Sequence, residues 1–155
     1  MEYERRVAIA RPVGDVFAFL CDETRLPEWR DGLRVSRRMS PPGDLHGARY
    51  AETLETPLGL RTVTVELAAR PPHQLAFRVV DGPVRPRGTL TLRATAAGTE
   101  LAYRLEYTPP LRIVTPLDTK VFGALRASVD RSLAKLVALL DDAGPGPWYP
   151  RAAAG

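Results

Sequence analysis

Glu52, Arg37 and Tyr103 have the types and spacing that acid–base chemistry requires. Two neighbouring strands are expected near residues 33–39 and 48–55, joined through the turn-forming Pro41-Pro42-Gly43-Asp44. With Val35 opposite Leu54, steps of two place Arg37 opposite Glu52 and Met39 opposite Tyr50, charge against countercharge and apolar against apolar. The apolar residues at 35, 39, 50 and 54 make that face the inner one, because a one-residue slip would turn all of them to water. Two ions carried inside lose hydration that their attraction only partly offsets, so such a pair is expected to serve a purpose. In an enzyme, Glu52 would abstract a proton, Arg37 would hold the developing enolate and Tyr103 would supply a proton. At a wet strand end the same pair would be worth at most about 1 kcal/mol.

Other chemistries find less support. The single cysteine, Cys21, sits at the end of a short helical stretch, where a buried inert thiol is the default, and it allows neither an internal disulfide nor a cysteine-cluster zinc site. His46 and His73 lack ligand spacing, so no metal site is expected. His46 lies in the loop Asp44-Leu45-His46-Gly47, where it could act as a base only if the loop borders a cavity. No glycine-rich phosphate loop follows a strand, no Ser-His-Asp pattern is evident, and no cofactor is expected.

With 155 residues, 45% of them hydrophobic, the chain is long enough for one domain with a substantial core. The net charge of +4 arises from an arginine-rich composition, 20 Arg against 2 Lys, interleaved with Asp and Glu. That pattern lacks the basic stripe with interspersed aromatics of a nucleic-acid binder, and none is expected. No stretch is long and apolar enough to span a membrane and Met1 to Arg6 lacks a secretory pattern, so a cytoplasmic location is expected.

The elements that must hold these side chains can be read from periodicity. Strands are expected near residues 3–9, 33–39, 48–55, 60–69, 74–80, 88–95 and 100–108, with connections too short for crossover helices, hence one antiparallel sheet. A short helix after Pro12 carries Val13, Val16, Phe17 and Leu20, and a second short turn carries Leu26, Pro27 and Trp29. The longest helix spans residues 116–142, opened by Thr115-Pro116 with Asp118 completing a capping box, and bears Leu117, Val121, Phe122, Leu125, Val129, Leu133, Leu136, Val137 and Leu140 on one face. Asp118, Asp130 and Lys135 fall on its solvated side. In the strands, Phe77 and Val79, Leu92, and Tyr103 with Tyr107 point toward this helix. An apolar cavity is expected there, lined by Phe77, Tyr103, Leu125 and Val129, with Trp29, Tyr50, Val79, Leu92 and Phe122 as further binding candidates. Residues 1–143 form the domain, and the Gly- and Pro-rich residues 144–155 are expected to be a flexible tail, where Trp148 and Tyr149 offer a docking motif.

Four stretches resemble a known superfamily: Pro12-x-x-x-Val16-Phe17-Ala18-Phe19-Leu20-x-Asp22, Leu26-Pro27-x-Trp29, Arg70-Pro71-Pro72-x-x-Leu75-Ala76-Phe77-Arg78 and Gly98-Thr99-x-Leu101-x-Tyr103. Over residues 3–142 the chain looks like a member of the SRPBCC superfamily, of START-like or helix-grip fold, and particularly of its polyketide cyclase/dehydrase-like branch. The resemblance implies an α+β fold in which a curved seven-stranded antiparallel sheet wraps a long C-terminal helix, with two short helices after the first strand. It also implies a cavity for a small, mainly apolar, polyketide- or lipid-like molecule. No catalytic set carries over from it, so the function expected is binding, with a cyclase, aromatase or dehydratase as the alternative and a cochaperone-like interaction module as the second.

Overall fold

Alternating apolar and polar residues form seven strands in the computed structural model, which describes residues 1–56 and 59–142, the side chain of Asp142 excepted. They are β1 (Glu2–Ile9), β2 (Leu33–Arg38), β3 (Arg49–Thr56), β4 (Gly59–Arg70), β5 (Gln74–Asp81), β6 (Arg87–Thr95) and β7 (Gly98–Glu106). All pair antiparallel in one sheet of order β1-β7-β6-β5-β4-β3-β2, so every neighbour is a sequence neighbour except the closing pair β1–β7. Between β1 and β2 lie α1 (Val13–Leu20), a 3-10 turn (Glu23–Arg25) and α2 (Leu26–Trp29), and α3 (Pro116–Asp142) follows the last strand. This is the helix-grip architecture. The expected tail, with Trp148 and Tyr149, lies outside the described residues.

Both faces of the sheet follow from the alternation. The inner face contributes Leu75, Leu90, Leu92, Leu101, Tyr103 and Leu105 to a core completed by Val16, Phe19 and Leu20 of α1 and by Phe122, Val129, Leu133, Leu136 and Leu140 of α3. The outer face carries ion pairs, among them Arg104 with Glu2 at 2.9 Å, Arg87 with Glu106 at 3.0 Å, and Glu66 shared by Arg49 and Arg78 at 2.9 and 2.7 Å.

Local chemistry fixes both ends of α3. Thr115 and Asp118 form the expected capping box, with Thr115 N–H and Oγ1 donating to Asp118 Oδ2 at 2.9 and 2.6 Å and Asp118 N–H donating to Thr115 Oγ1 at 3.2 Å. The Tyr107 hydroxyl donates to Asp118 Oδ1 at 2.7 Å, tying the end of β7 to the start of the helix. Asp118 is only 6% exposed, a correction to its expected place on the solvated side: both of its carboxylate oxygens accept hydrogen bonds from protein donors. Leu117 is the opposite correction. It is 69% exposed, because the stripe turns toward the core only from Val121 onward. At the far end, Arg11 Nε donates to the Leu140 carbonyl at 3.0 Å and Ala10 N–H to Asp141 Oδ1 at 3.2 Å.

The β2–β3 register departs from expectation. Leu33, not Val35, pairs with Leu54; a bulge between Leu33 and Val35 then leaves Val35 opposite Thr53, Ser36 opposite Glu52, Arg37 opposite Ala51 and Arg38 opposite Tyr50. The extra residue flips the alternation of β2 relative to β3 downstream of the bulge. Val35 and Met39 consequently face water, at 56% and 55% exposure, and Arg37 is exposed with them. The expected Arg37–Glu52 pair does not form.

Candidate functional site

Glu52 is nonetheless inside, 3% exposed, and its partner is Arg30, whose guanidinium donates to Glu52 Oε1 at 2.6 Å. Arg30 is delivered by the short helix. After Trp29 the chain leaves α2, Arg30 N–H closes the last turn on the Leu26 carbonyl at 2.9 Å, and Gly32 turns into β2 with φ +77°. A β-carbon at Gly32 would stand 2.9 Å from the Glu55 carbonyl oxygen, so this close pass of α2 against β3 requires glycine. Asp31 fixes the same turn from outside, its N–H donating to Ser132 Oγ at 2.8 Å and its carboxylate receiving Arg131 and Lys135 of α3 at 3.0 and 3.2 Å. Those cations hold the Asp31 carboxyl below its ordinary value although burial pulls the other way.

Around the Arg30–Glu52 pair is a cavity of about 50 Å³, walled by Leu20, Leu26 and Trp29 on the helical side and by Tyr50, Leu67, Leu75, Phe77, Leu90 and Tyr103 on the sheet. One water needs roughly 10–15 Å³ on such a measure, so the space suits a few waters or a guest of a few heavy atoms. The guanidinium of Arg30 lies over the Phe77 ring, 5.5 Å from its centroid, and Phe77 meets the Tyr103 ring edge-on at 6.2 Å. Gly88, opposite Phe77 on β6, leaves room for both: a β-carbon there would stand 2.5 Å from Phe77 Cε1 and 2.9 Å from the Tyr103 hydroxyl. Arg30 also borders an open polar groove on the outside, lined by Pro27, Gly32, Arg34, Glu55, Arg131 and Lys135, and is the residue common to groove and cavity.

Burial first, then Glu52, pushes the Tyr103 hydroxyl well above its ordinary value of 10.0, against the pull of Arg30. Burial lowers the proton affinity of Arg30, but the charge and hydrogen bond of Glu52 outweigh it and leave the guanidinium raised. Burial also pushes the Cys21 thiol, at the cavity edge, up to about 11, which leaves it protonated and a poor nucleophile near neutral pH. Tyr50 is pushed up to about 12 by burial and by its hydrogen bond to Glu23. Two residues of the wall each keep one buried polar atom without a hydrogen-bond partner, Glu52 Oε2 and Trp29 Nε1.

Of the residues singled out from sequence, Trp29, Tyr50, Glu52, Phe77 and Tyr103 come together at this cavity. Arg37 is on the outer face, and Arg30 takes its place. Leu92, Phe122 and Val129 are core, while Val79 and Leu125 are half-buried and stand apart from this cavity. His46 is exposed and accepts the Ala69 backbone N–H at Nδ1, a bond that fastens its loop to β4. Arg30 had one legible signal, its place directly after Trp29 and two residues before a turn glycine.

A family model described as polyketide cyclase / dehydrase and lipid transport matches residues 1–141. No curated protein matches the sequence. Similar solved structures include TTHA0849 from Thermus thermophilus, with TM-score 0.75 and 16% identity over 94% of this chain and 100% of that one. The di-domain ARO/CYC StfQ of the steffimycin biosynthetic pathway gives 0.73 and 17% over 92% of this chain and 51% of that one. The di-domain ARO/CYC BexL of the BE-7585A pathway gives 0.72 and 15% over 94% and 51%, so the chain spans about half the length of either di-domain protein. At these identities the likeness is one of fold.

Proposed function

The chain belongs to the polyketide cyclase / dehydrase and lipid transport family, and from that premise we propose that it binds a small, mainly apolar molecule in the cavity between α1, α2 and the sheet. The observation that carries this is a mostly apolar, aromatic-walled space set around one ion pair, Arg30–Glu52. A core with no guest gains little from a buried ion pair, since apolar residues of equal volume there are often as stable or more so. Leu26→Trp fills the space from the half-buried helical wall. That variant should lose uptake of an environment-sensitive dye while keeping the parent's circular dichroism, and unchanged uptake in the folded variant contradicts the assignment.

A second reading, proton-transfer catalysis in the same space, is favoured by Glu52, a buried carboxylate of the cavity wall with one oxygen, Oε2, that no protein group hydrogen-bonds. Glu52 would take a proton from carbon beside a carbonyl, Arg30 would hold the enolate oxygen, and Tyr103, kept protonated by burial, would return a proton. The measurement is deuterium exchange into the α-positions of cyclohexanone in D₂O. Catalysed exchange that falls to background in Glu52→Gln supports an enzyme; exchange equal in the two leaves binding alone.

A further inference from the structure

The segment between β7 and α3 departs from the rest of the surface. Among the described residues seven large apolar side chains are exposed, and four of them, Leu111, Ile113, Val114 and Leu117, fall within residues 111–117 at 57–76% exposure. Side chains of this kind ordinarily fold back onto a core, but here the backbone holds them out. Pro109 is buried at the base of the loop, and its carbonyl accepts the Arg112 N–H at 3.1 Å to close a turn. Arg112 takes a left-handed φ of +57°, and Thr115 is tied to Asp118 on the other side. Pro110 and Pro116 stiffen the chain between. Charge on the segment is equally one-sided. Arg87, Arg93 and Arg104 of the sheet each sit beside a carboxylate, whereas Arg112 and Lys120 are exposed and make no ion pair among the described residues. The one carboxylate in residues 108–120, Asp118, is buried with its oxygens bonded to Thr115 and Tyr107.

We propose that this loop docks the protein on the surface of a bilayer containing anionic lipid, its apolar side chains entering the acyl boundary while Arg112 and Lys120 meet the lipid phosphates. Exposed apolar groups beside unpaired cations are the combination that an anionic interface favours, and the protein itself satisfies neither half. Other occupants fit less well. Four side chains offer a few hundred Å² at most, short of the ~800 Å² a side on which a standard protein interface, or a stable contact with a second copy, rests. The Trp148–Tyr149 pair follows the far end of α3, and 27 helical residues at 1.5 Å each separate that end from the loop by about 40 Å. Seven residues beyond Asp142 span at most about 25 Å, so the pair falls short. The proposal does not depend on what the cavity holds.

The test is flotation of the full chain with vesicles of phosphatidylcholine, alone or with phosphatidylglycerol as about one lipid in three. Phosphatidylglycerol should strengthen binding at least about tenfold. Lys120→Gln and Arg112→Asn should each weaken it about fivefold on those vesicles, the worth of one cation near an anionic surface. Asparagine is chosen at 112 because it tolerates the left-handed backbone there. Leu111→Ser with Ile113→Ser should weaken binding at least about tenfold at unchanged circular dichroism, since both side chains already face water. Insertion is read separately: Ile113→Trp in a Trp148→Phe background, where the other indole, Trp29, is buried, should be quenched by brominated lipid well beyond Trp148→Phe alone. No flotation with either vesicle overturns the proposal. Binding that the double serine variant keeps in full puts the lipid contact elsewhere and overturns it as well. A concentration-dependent dimer of the parent that the double serine variant loses, without flotation, assigns the loop to a second copy instead. Lys120 is an exposed helical side chain, so its variant keeps the charge arm decisive should a loop variant misfold.

Discussion

Arg30 and Glu52 are unequal partners, since Arg30 keeps 22% of its side chain in contact with solvent and Glu52 only 4%. Removing the cation is therefore the costlier half of the pair. Arg30→Met should destabilise the fold by about 3 kcal/mol, the lower end of the range for stranding a buried charge, because the partly wet arginine is easily replaced by water. Arg30→Met combined with Glu52→Met should recover most of that loss, and urea melts of the three variants measure it as a coupling energy. Gly88 is a second sensitive residue. The atoms that its missing β-carbon would strike are the outer edge of a half-buried phenyl ring and a hydroxyl, both of which can yield. Gly88→Ala should thus cost little stability, about 1 kcal/mol, while driving Phe77 into the cavity and abolishing dye uptake. A variant that loses several kcal/mol but still takes up dye would show that Phe77 yields in another direction.

At the scale of elements, the start of α3 depends on one carboxylate. Hydrogen bonds from Thr115, then from Tyr107, then from the Thr115 backbone hold the Asp118 carboxyl below its ordinary value of 3.8. A depressed folded value means that the stabilisation is fully present above the unfolded carboxyl value of about 4 and is lost as the pH falls through the lower, folded one. The melting-temperature difference between the parent and Asp118→Asn should therefore be constant near neutral pH and close progressively below about pH 4. A difference that persists unchanged at pH 2 would assign the effect to shape alone. Periodicity and capping signals were enough to read this helix, because its 3.6 repeat is sustained over many residues, while the short helical pair and the seven strands were read from shorter repeats bounded by turn residues. The bulge in β2 is one inserted residue, Arg34, with no repeat to betray it, and it reversed which side chains faced Glu52. So Glu52 was legible from its strand while its partner was not: Arg30 comes from α2, a four-residue helix whose placement depends on Gly32 passing close to β3.

For the whole molecule, charge and apolar surface are segregated in a way that bears on function. The outer face of the sheet is crossed by arginine–carboxylate pairs, which suits water better than a protein partner and weighs against an interaction module working through that face. Among the exposed large apolar side chains, Leu111, Ile113, Val114 and Leu117 follow the last strand, while Val35, Met39 and Leu60 belong to β2, its end and β4. Among the described residues no helix is long and apolar enough to cross a membrane. The interior gathers side chains from five of the seven strands and both short helices around one ion pair, and binding in that space is the central claim. Native mass spectrometry of the freshly purified chain beside Leu26→Trp tests it most directly. The expected result is the added mass of one small molecule on the parent, released on denaturation and missing from Leu26→Trp. The bare chain alone in the parent, or an equal adduct on both proteins, would contradict it.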